Sequence, residues 1–301
     1  MQVPQVSEAN LGVFSSLDQL LTARANNQIQ IDAASVCVPT QLHYEISRQL
    51  LSAGIDVLVE KPITATTEEA AHLTALAERE NRILQVGHLE RFNPAVTAVR
   101  PLLNSPMFFE AHRLSVFTPR ALDVDVVLDL MIHDLDIVLD FVQSPVAEVR
   151  AVGLPILTPR VDIANVRVEF ANGAVANFTA SRVSTERVRK LRFFQPHQYI
   201  SIDYARQDAL IIDVPRASSA QQATSTVTNP HPSAGLAMRK LEITQGEPLR
   251  LEIESFLHSV RTRQQPLVPG QAGQAALTLA TQIRQAMTTH HTKANLDRFT
   301  V

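Results

Sequence analysis

A single cysteine in 301 residues rules out an intrachain disulfide framework. Cys37 stands in an apolar run, ASVCV, where it is expected as a buried strand residue of a protein in a reducing cytoplasm. Glycine is scarce, nine residues in all, and no two of them form G-x-G, so the turn that cradles a dinucleotide pyrophosphate is missing from the chain. Charge of one sign is not concentrated anywhere. The 27 Lys and Arg stand against 30 Asp and Glu for a net charge of −3, which leaves no electrostatic footprint for nucleic acid. No apolar run approaches ~18 residues and no signal-peptide pattern opens the chain, so a soluble protein with no membrane partner is expected. No internal repeat stands out.

What is present is length enough for two domains and a large core. From Gly12 to Gly87 strand and helix patterns alternate. LGVF reads as a brief strand, and Ser16 with Gln19 as a capping box for the helix that follows. Ile31–Val38 is a strand stopped by Pro39-Thr40, and the next helix carries Leu42, Ile46, Leu50 and Leu51 on one face. Strand Asp56–Glu60, a helix capped by Thr66 or Thr67 with Glu69, and strand ILQVG complete the series. Such alternation predicts a parallel, doubly wound sheet.

From about Ser105 the pattern changes to longer strands of period two, with Asn172-Gly173 as a hairpin signal. Two helices follow, roughly Leu251–Thr262 and Gly270–Met287, and residues 216–236 are Ser/Thr/Ala-rich and read as a loop. The fold class is thus α/β plus α+β: an incomplete Rossmann-type parallel sheet over residues 1–104, then a mainly antiparallel sheet with helices over 105–301.

Lys61-Pro62 ends the DVLVE strand and places a lysine at a strand's carboxyl end, where open α/β sheets bind ligands. The plain alternative is a solvated surface lysine. In DLMIHDLDI, Asp129, His133 and Asp136 share one helical face, and a carboxylate beside the histidine would raise its pKa and fix its tautomer. Solvent-facing polarity is the competing explanation. Gly87 allows close backbone approach at a strand end, beside the polar groups of His88, Arg91 and Asn93. His88, His112 and His133 lack any spacing typical of a metal site, so no metal is assigned.

VEKP before a helix, QVGHLERFNP after a strand, and DLMIHDLDI later in the chain together resemble the glucose-fructose oxidoreductase / inositol dehydrogenase (Gfo/Idh/MocA-type) family. The resemblance runs from about Asn10 to the C-terminus. It implies an oxidoreductase that uses NAD or NADP to take hydride from a sugar or nucleotide-sugar hydroxyl. Lys61, Asp129 and His133 fall on the family's catalytic positions. Pro39, Thr40, His43, Glu60, Lys61, Gly87 and His88 fall along the cofactor, although His43 serves equally as a polar residue opening a helix. The ERFNPAV wording looks most like members acting on the 3-hydroxyl of UDP-N-acetylglucosamine-type sugars, with Arg91, Asn93 and His133 toward the substrate. Arg91 would serve as well in an interdomain ion pair. Family members assemble as dimers and tetramers, so a homo-oligomer through the C-terminal sheet is expected.

Against the family pattern, the opening strand, Gly-rich turn, helix and acidic second strand are not in this sequence. The chain is therefore expected to be N-terminally truncated, with an unpaired edge on the VCV strand and weak dinucleotide binding. A catalytically inactive binding or scaffolding protein is the alternative that this departure keeps open.

Overall fold

In the computed structural model, which describes residues 12–118, 124–214, 229–230 and 236–296, β2 (Asp56–Glu60) lies between β1 (Ala33–Val36) and β3 (Leu84–Gly87). All three strands are parallel. Val57 and Val59 enter a cluster with Leu50, Leu51, Leu73, Leu76 and Leu277, while Leu58 meets Phe256 on the other face. The sheet is covered on both sides, as parallel sheets are, by α2 (His43–Ser52), α3 (Thr67–Arg79) and α7 (Gly270–Ala294) on one face and α6 (Pro248–Thr262) on the other. Each fully buried aliphatic side chain contributes ~1.5–3 kcal/mol relative to exposure, so β2 is strongly fixed and with it the residue that follows.

Several local expectations hold, and others do not. Thr66 caps α3 through a reciprocal box with Glu69. Ser16 caps α1 (Leu17–Ala25), but the Gln19 side chain bonds to Ser15 instead, so only half of that box forms. Residues 12–14 form no strand, and Val13 is 95% exposed. Cys37 lies past the end of β1 and is exposed, which corrects the buried strand position expected for it. Leu42 is also exposed, because Thr40–Leu42 form a 3-10 turn and α2 starts at His43, which takes the inward position.

The second sheet has nine strands in the order β11-β12-β10-β9-β8-β4-β7-β6-β5. Their spans are β4 (Phe108–Leu114), β5 (Val146–Leu154), β6 (Ile163–Phe170), β7 (Val175–Ser181), β8 (Val188–Gln195), β9 (Gln198–Asp203), β10 (Asp208–Asp213), β11 (Asn229–Pro230) and β12 (Ala237–Lys240). All neighbours are antiparallel except β4 and β7. Asn172-Gly173 turns β6 into β7, with Gly173 at φ 85°. Residues 216–228 and 231–235 of the Ser/Thr/Ala-rich stretch lie outside the described residues, but β11 falls within the stretch and β12 follows it directly, neither indicated by composition.

One face of this sheet is apolar and packs on α4 (Pro94–Val99), α5 (Ile132–Val142) and α7; Phe109, Phe178, Phe193, Ile200 and Ile211 are fully buried there. Helix α7 therefore touches both sheets. At Gly273 a Cβ would stand 2.7 Å from Val86 Cγ2, so the helix reaches β3 only because that residue is glycine. Among the described residues no helix is long and apolar enough to cross a membrane.

Candidate active site

Because β1, β2 and β3 are parallel, their carboxyl ends deliver Pro39-Thr40, Lys61-Pro62 and Gly87-His88 to the same side of the sheet. The Lys61-Pro62 peptide is cis. His43 ties two of these ends together: its ring nitrogens lie 2.8 Å from the carbonyl oxygens of Val38 and Pro62, and the side chain is buried. Thr40 is half-buried on the lip of the cavity described below, while Pro39 is exposed and outside it. Gly87 pairs with Glu60, and a Cβ on it would meet the Glu60 Cα at 3.2 Å.

Lys61 reaches across to the second half of the chain. Its Nζ donates to the backbone carbonyl of Asp129 at 2.8 Å and lies 3.9 Å from the Asp129 carboxylate. Asp129 sits in a π turn, Val127–Met131, that opens α5; such turns recur at functional sites. Asp125 caps this turn, accepting from Val127 N and Leu128 N. His133 follows on α5, half-buried, with Nδ1 enclosed and without a partner. Its ring meets that of His88 edge to face, centroids 6.5 Å apart. His88 is buried, and neither of its ring nitrogens has a partner.

The electrostatics depart from a carboxylate-supported histidine. Burial, then the charges of Lys61 and Arg113, hold the His133 imidazole well below its usual pKa. Burial likewise lowers the Lys61 ammonium, against the opposing pull of Asp129 and Glu60. His88 is lowered by burial as well, with Asp136 acting the other way.

Arg91 and Asn93 are buried and fully engaged with the protein. Arg91 Nε and Nη2 bond the Asp136 carboxylate at 2.6 and 3.0 Å, and Nη1 lies 2.6 Å from Asp140. Of its two readings the geometry shows the ion pair. Asn93 donates to Glu90 and to the Tyr204 carbonyl, and its side-chain oxygen caps α4. Asp136 is thus turned toward Arg91 and buried, which corrects the shared polar face expected with Asp129 and His133.

A second buried arginine lies outside the motifs of the sequence. Arg113, on the inward stripe of β4 after Phe109 and Ala111, pairs with Asp134 at 2.7 and 3.0 Å and with Glu90 at 2.9 Å. Its guanidinium lies over the Tyr204 ring, 5.2 Å from the centroid. Burial disfavours its charge, but Asp134 and Glu90 outweigh that and its pKa is raised. Two aspartates inside the apolar run MIHDLDI were the available signal, since buried carboxylates require cationic partners.

Thr40, Lys61, Pro62, Leu128, Asp129 and Leu277 help to line a cavity of about 280 Å³ at the strand ends. Its lining is polar at the Lys61–Asp129 contact and apolar at Leu128 and Leu277, which suits the flat pyridinium ring of a nicotinamide and its carboxamide. The residues present thus fit that end of the cofactor.

Over residues 2–88 the chain matches the family described as "Oxidoreductase family, NAD-binding Rossmann fold", and over 104–196 the GFO/IDH/MocA C-terminal domain. It is 34% identical over 282 residues to the UDP-N-acetylglucosamine 3-dehydrogenase of Acidithiobacillus ferrooxidans, covering 93% of this chain and 84% of that protein. A solved structure of that enzyme superposes with a TM-score of 0.82 at 33% identity, over 92% of this chain and 83% of that one. The inositol 2-dehydrogenase of Rhizobium meliloti is 24% identical over 292 residues, 92% of this chain and 84% of that protein. An inositol dehydrogenase homolog from Azotobacter vinelandii, complexed with NADH and myo-inositol, shares the fold at a TM-score of 0.75 and 17% identity, covering 90% of this chain and 80% of that chain.

Proposed function

The chain belongs to the Gfo/Idh/MocA family of NAD-binding oxidoreductases, and from that premise we propose that it oxidises the 3-hydroxyl of a UDP-N-acetylhexosamine. The observation that carries this reading is Lys61, aimed from a strand end into the cavity and held on the Asp129 carbonyl beside His133. Bound there, oxidised NAD or NADP supplies the hydride acceptor.

The protein's own part is to position the sugar and to manage one proton. Lys61, with its pKa lowered by burial, reaches its neutral form at lower pH than a solvated lysine and takes the hydroxyl proton as the carbon gives up hydride. The Asp129 carbonyl occupies one N–H and so fixes where Nζ points. His133 stays neutral and offers an uncharged ring to the same hydroxyl. Arg91 and Arg113 anchor α5, which carries His133, to β4 and to the turn after β3.

The test is reduction of NAD or NADP in the presence of UDP-N-acetylglucosamine, with a ketone product identified by mass. Turnover with free myo-inositol and none with the UDP-sugar would replace the substrate reading.

We extend the reading to assembly. The outer face of the second sheet carries a ladder of Phe108, Phe194 and Tyr199, with ring centroids 5.7 and 5.1 Å apart and Phe194 41% exposed. A second copy of the chain would cover it. A monomeric mass by light scattering would count against this.

A further inference from the structure

The cavity beside Lys61 continues outward. A wider one of about 510 Å³ adjoins it, and Asp125, Arg160 and Arg284 line both. Two of these three shared residues are arginines placed by different elements. Arg284 projects from α7 and donates through Nε to Asp125 at 2.8 Å, with its side chain 46% exposed. One edge of its guanidinium is thereby fixed, and the half-exposed side chain lines both cavities.

Arg160 comes from the loop between β5 and β6, whose backbone is organised from below. Asp162, fully buried, accepts from the amides of Ile156, Leu157 and Thr158 at 2.8, 2.6 and 2.8 Å and from the Thr158 hydroxyl at 2.8 Å. Burial opposes its charge, but these bonds outweigh that and its pKa is lowered, so it remains a carboxylate. The Thr158 hydroxyl then accepts from Arg160 N at 3.1 Å. The exposed Arg160 guanidinium has no carboxylate partner among the described residues. A buried acceptor therefore holds the backbone beneath a cation whose charge no carboxylate among the described residues neutralises.

The charges that line these walls decide the ligand class. In the outer cavity Arg160 and Arg284 stand against Asp125 alone, and in the inner one Arg160, Arg284 and, when protonated, Lys61 stand against Asp125 and Asp129. Concave walls with an excess of one sign concentrate the opposite ion, and a guanidinium fork matches phosphate oxygens two at a time. We propose that Arg160 and Arg284 form a subsite for the diphosphate of a nucleotide-linked sugar, whose sugar ring occupies the inner cavity at Lys61. This rests on the reading of the inner cavity as the place of oxidation. The shared chemistry is an organic diphosphate, which a dinucleotide cofactor also carries, so the two sources need separate arms.

Calorimetric titration of the whole chain with UDP, and separately with NAD, is carried out on the wild type, Arg160→Ala, Arg160→Lys and Arg284→Lys. UDP should bind the wild type about 10- to 100-fold more tightly than Arg160→Ala, the range for a lost charge-assisted hydrogen bond, and the lysine variants should fall between. NAD affinity should not change. Failure of UDP to bind the wild type, or equal UDP affinity in Arg160→Ala, overturns the subsite; a loss confined to NAD assigns the diphosphate to the cofactor and overturns it too. Since binding is read without turnover, a wild type that holds UDP through Arg160 yet oxidises no UDP-sugar would sink the substrate reading and leave the subsite standing. A wild type that oxidises the UDP-sugar with a KM indifferent to Arg160→Ala would do the reverse.

Discussion

Lys61 Nζ lies 2.8 Å from the backbone carbonyl of Asp129 and 3.9 Å from its carboxylate, so the main chain, more than the side chain, orients the lysine. A carbonyl takes one N–H without holding the ammonium as firmly as a short ion pair would, and the π turn that presents it is capped by Asp125. Removal of the amine should therefore cost far more than removal of the carboxylate. Lys61→Ala is expected to lower kcat by roughly 10²–10⁴-fold, and Asp129→Asn by only about tenfold, since the carbonyl survives. Turnover intact in Lys61→Ala, with only KM raised, would reduce Lys61 to a binding group.

The pH profile follows from the two lowered pKa values. A lysine that acts as a base works when neutral, so kcat/KM should rise with pH and level off above the pKa of Lys61, which burial places below 10.5. His133, held well below 6.5, is already neutral across the neutral range and should add no inflection there. Initial rates from acid to alkaline pH check this. A rate that falls as pH rises would require a protonated Lys61 instead.

Much of this arrangement was legible in the chain. The apolar run of β2 halted by Lys61-Pro62 places the lysine at a strand end, the Thr66/Glu69 box starts α3, and Asn172-Gly173 closes a hairpin. The remainder depended on contacts between distant segments. Nothing near His43 indicates that its partners are the carbonyls of Val38 and Pro62, and the 3.6-residue period by which helices are read cannot reveal a π turn at Val127–Met131. Arg160 reads as one more surface arginine until Asp162 is seen beneath its loop.

Arg91 tests whether the buried charges serve stability or substrate. It pairs with Asp136 and Asp140 and is 5% exposed, so its truncation strands the buried Asp136, while Asp140 keeps its pair with Arg100. Arg91→Ala should destabilise the fold by about 3–5 kcal/mol, and Arg91→Lys should recover only part, lacking the fork. Denaturant unfolding measures this. A variant of wild-type stability with a raised KM would move Arg91 to the substrate.

Glu252 gives stability a slope with pH. It lies on α6, 1% exposed with Oε1 unpartnered, while Gln85 Nε2 bonds only its backbone carbonyl. Burial, then the charge of Glu60, raises its pKa from 4.5 to about 8. Between those values the folded state keeps a proton that the unfolded state has released, so this group's contribution is fully present below 4.5 and is lost as pH rises toward 8. Glu252→Gln cannot ionise and keeps the backbone bond to Gln85. It should match the wild type near pH ~4 and exceed it by ~2–4 kcal/mol near pH ~9, because each tenfold difference in proton affinity between the folded and unfolded chain is worth about 1.4 kcal/mol, and less where the structure relaxes. Unfolding curves at both pH values decide it: equal stabilities at the alkaline value would mean that Glu252 ionises in the folded protein as readily as it does in water.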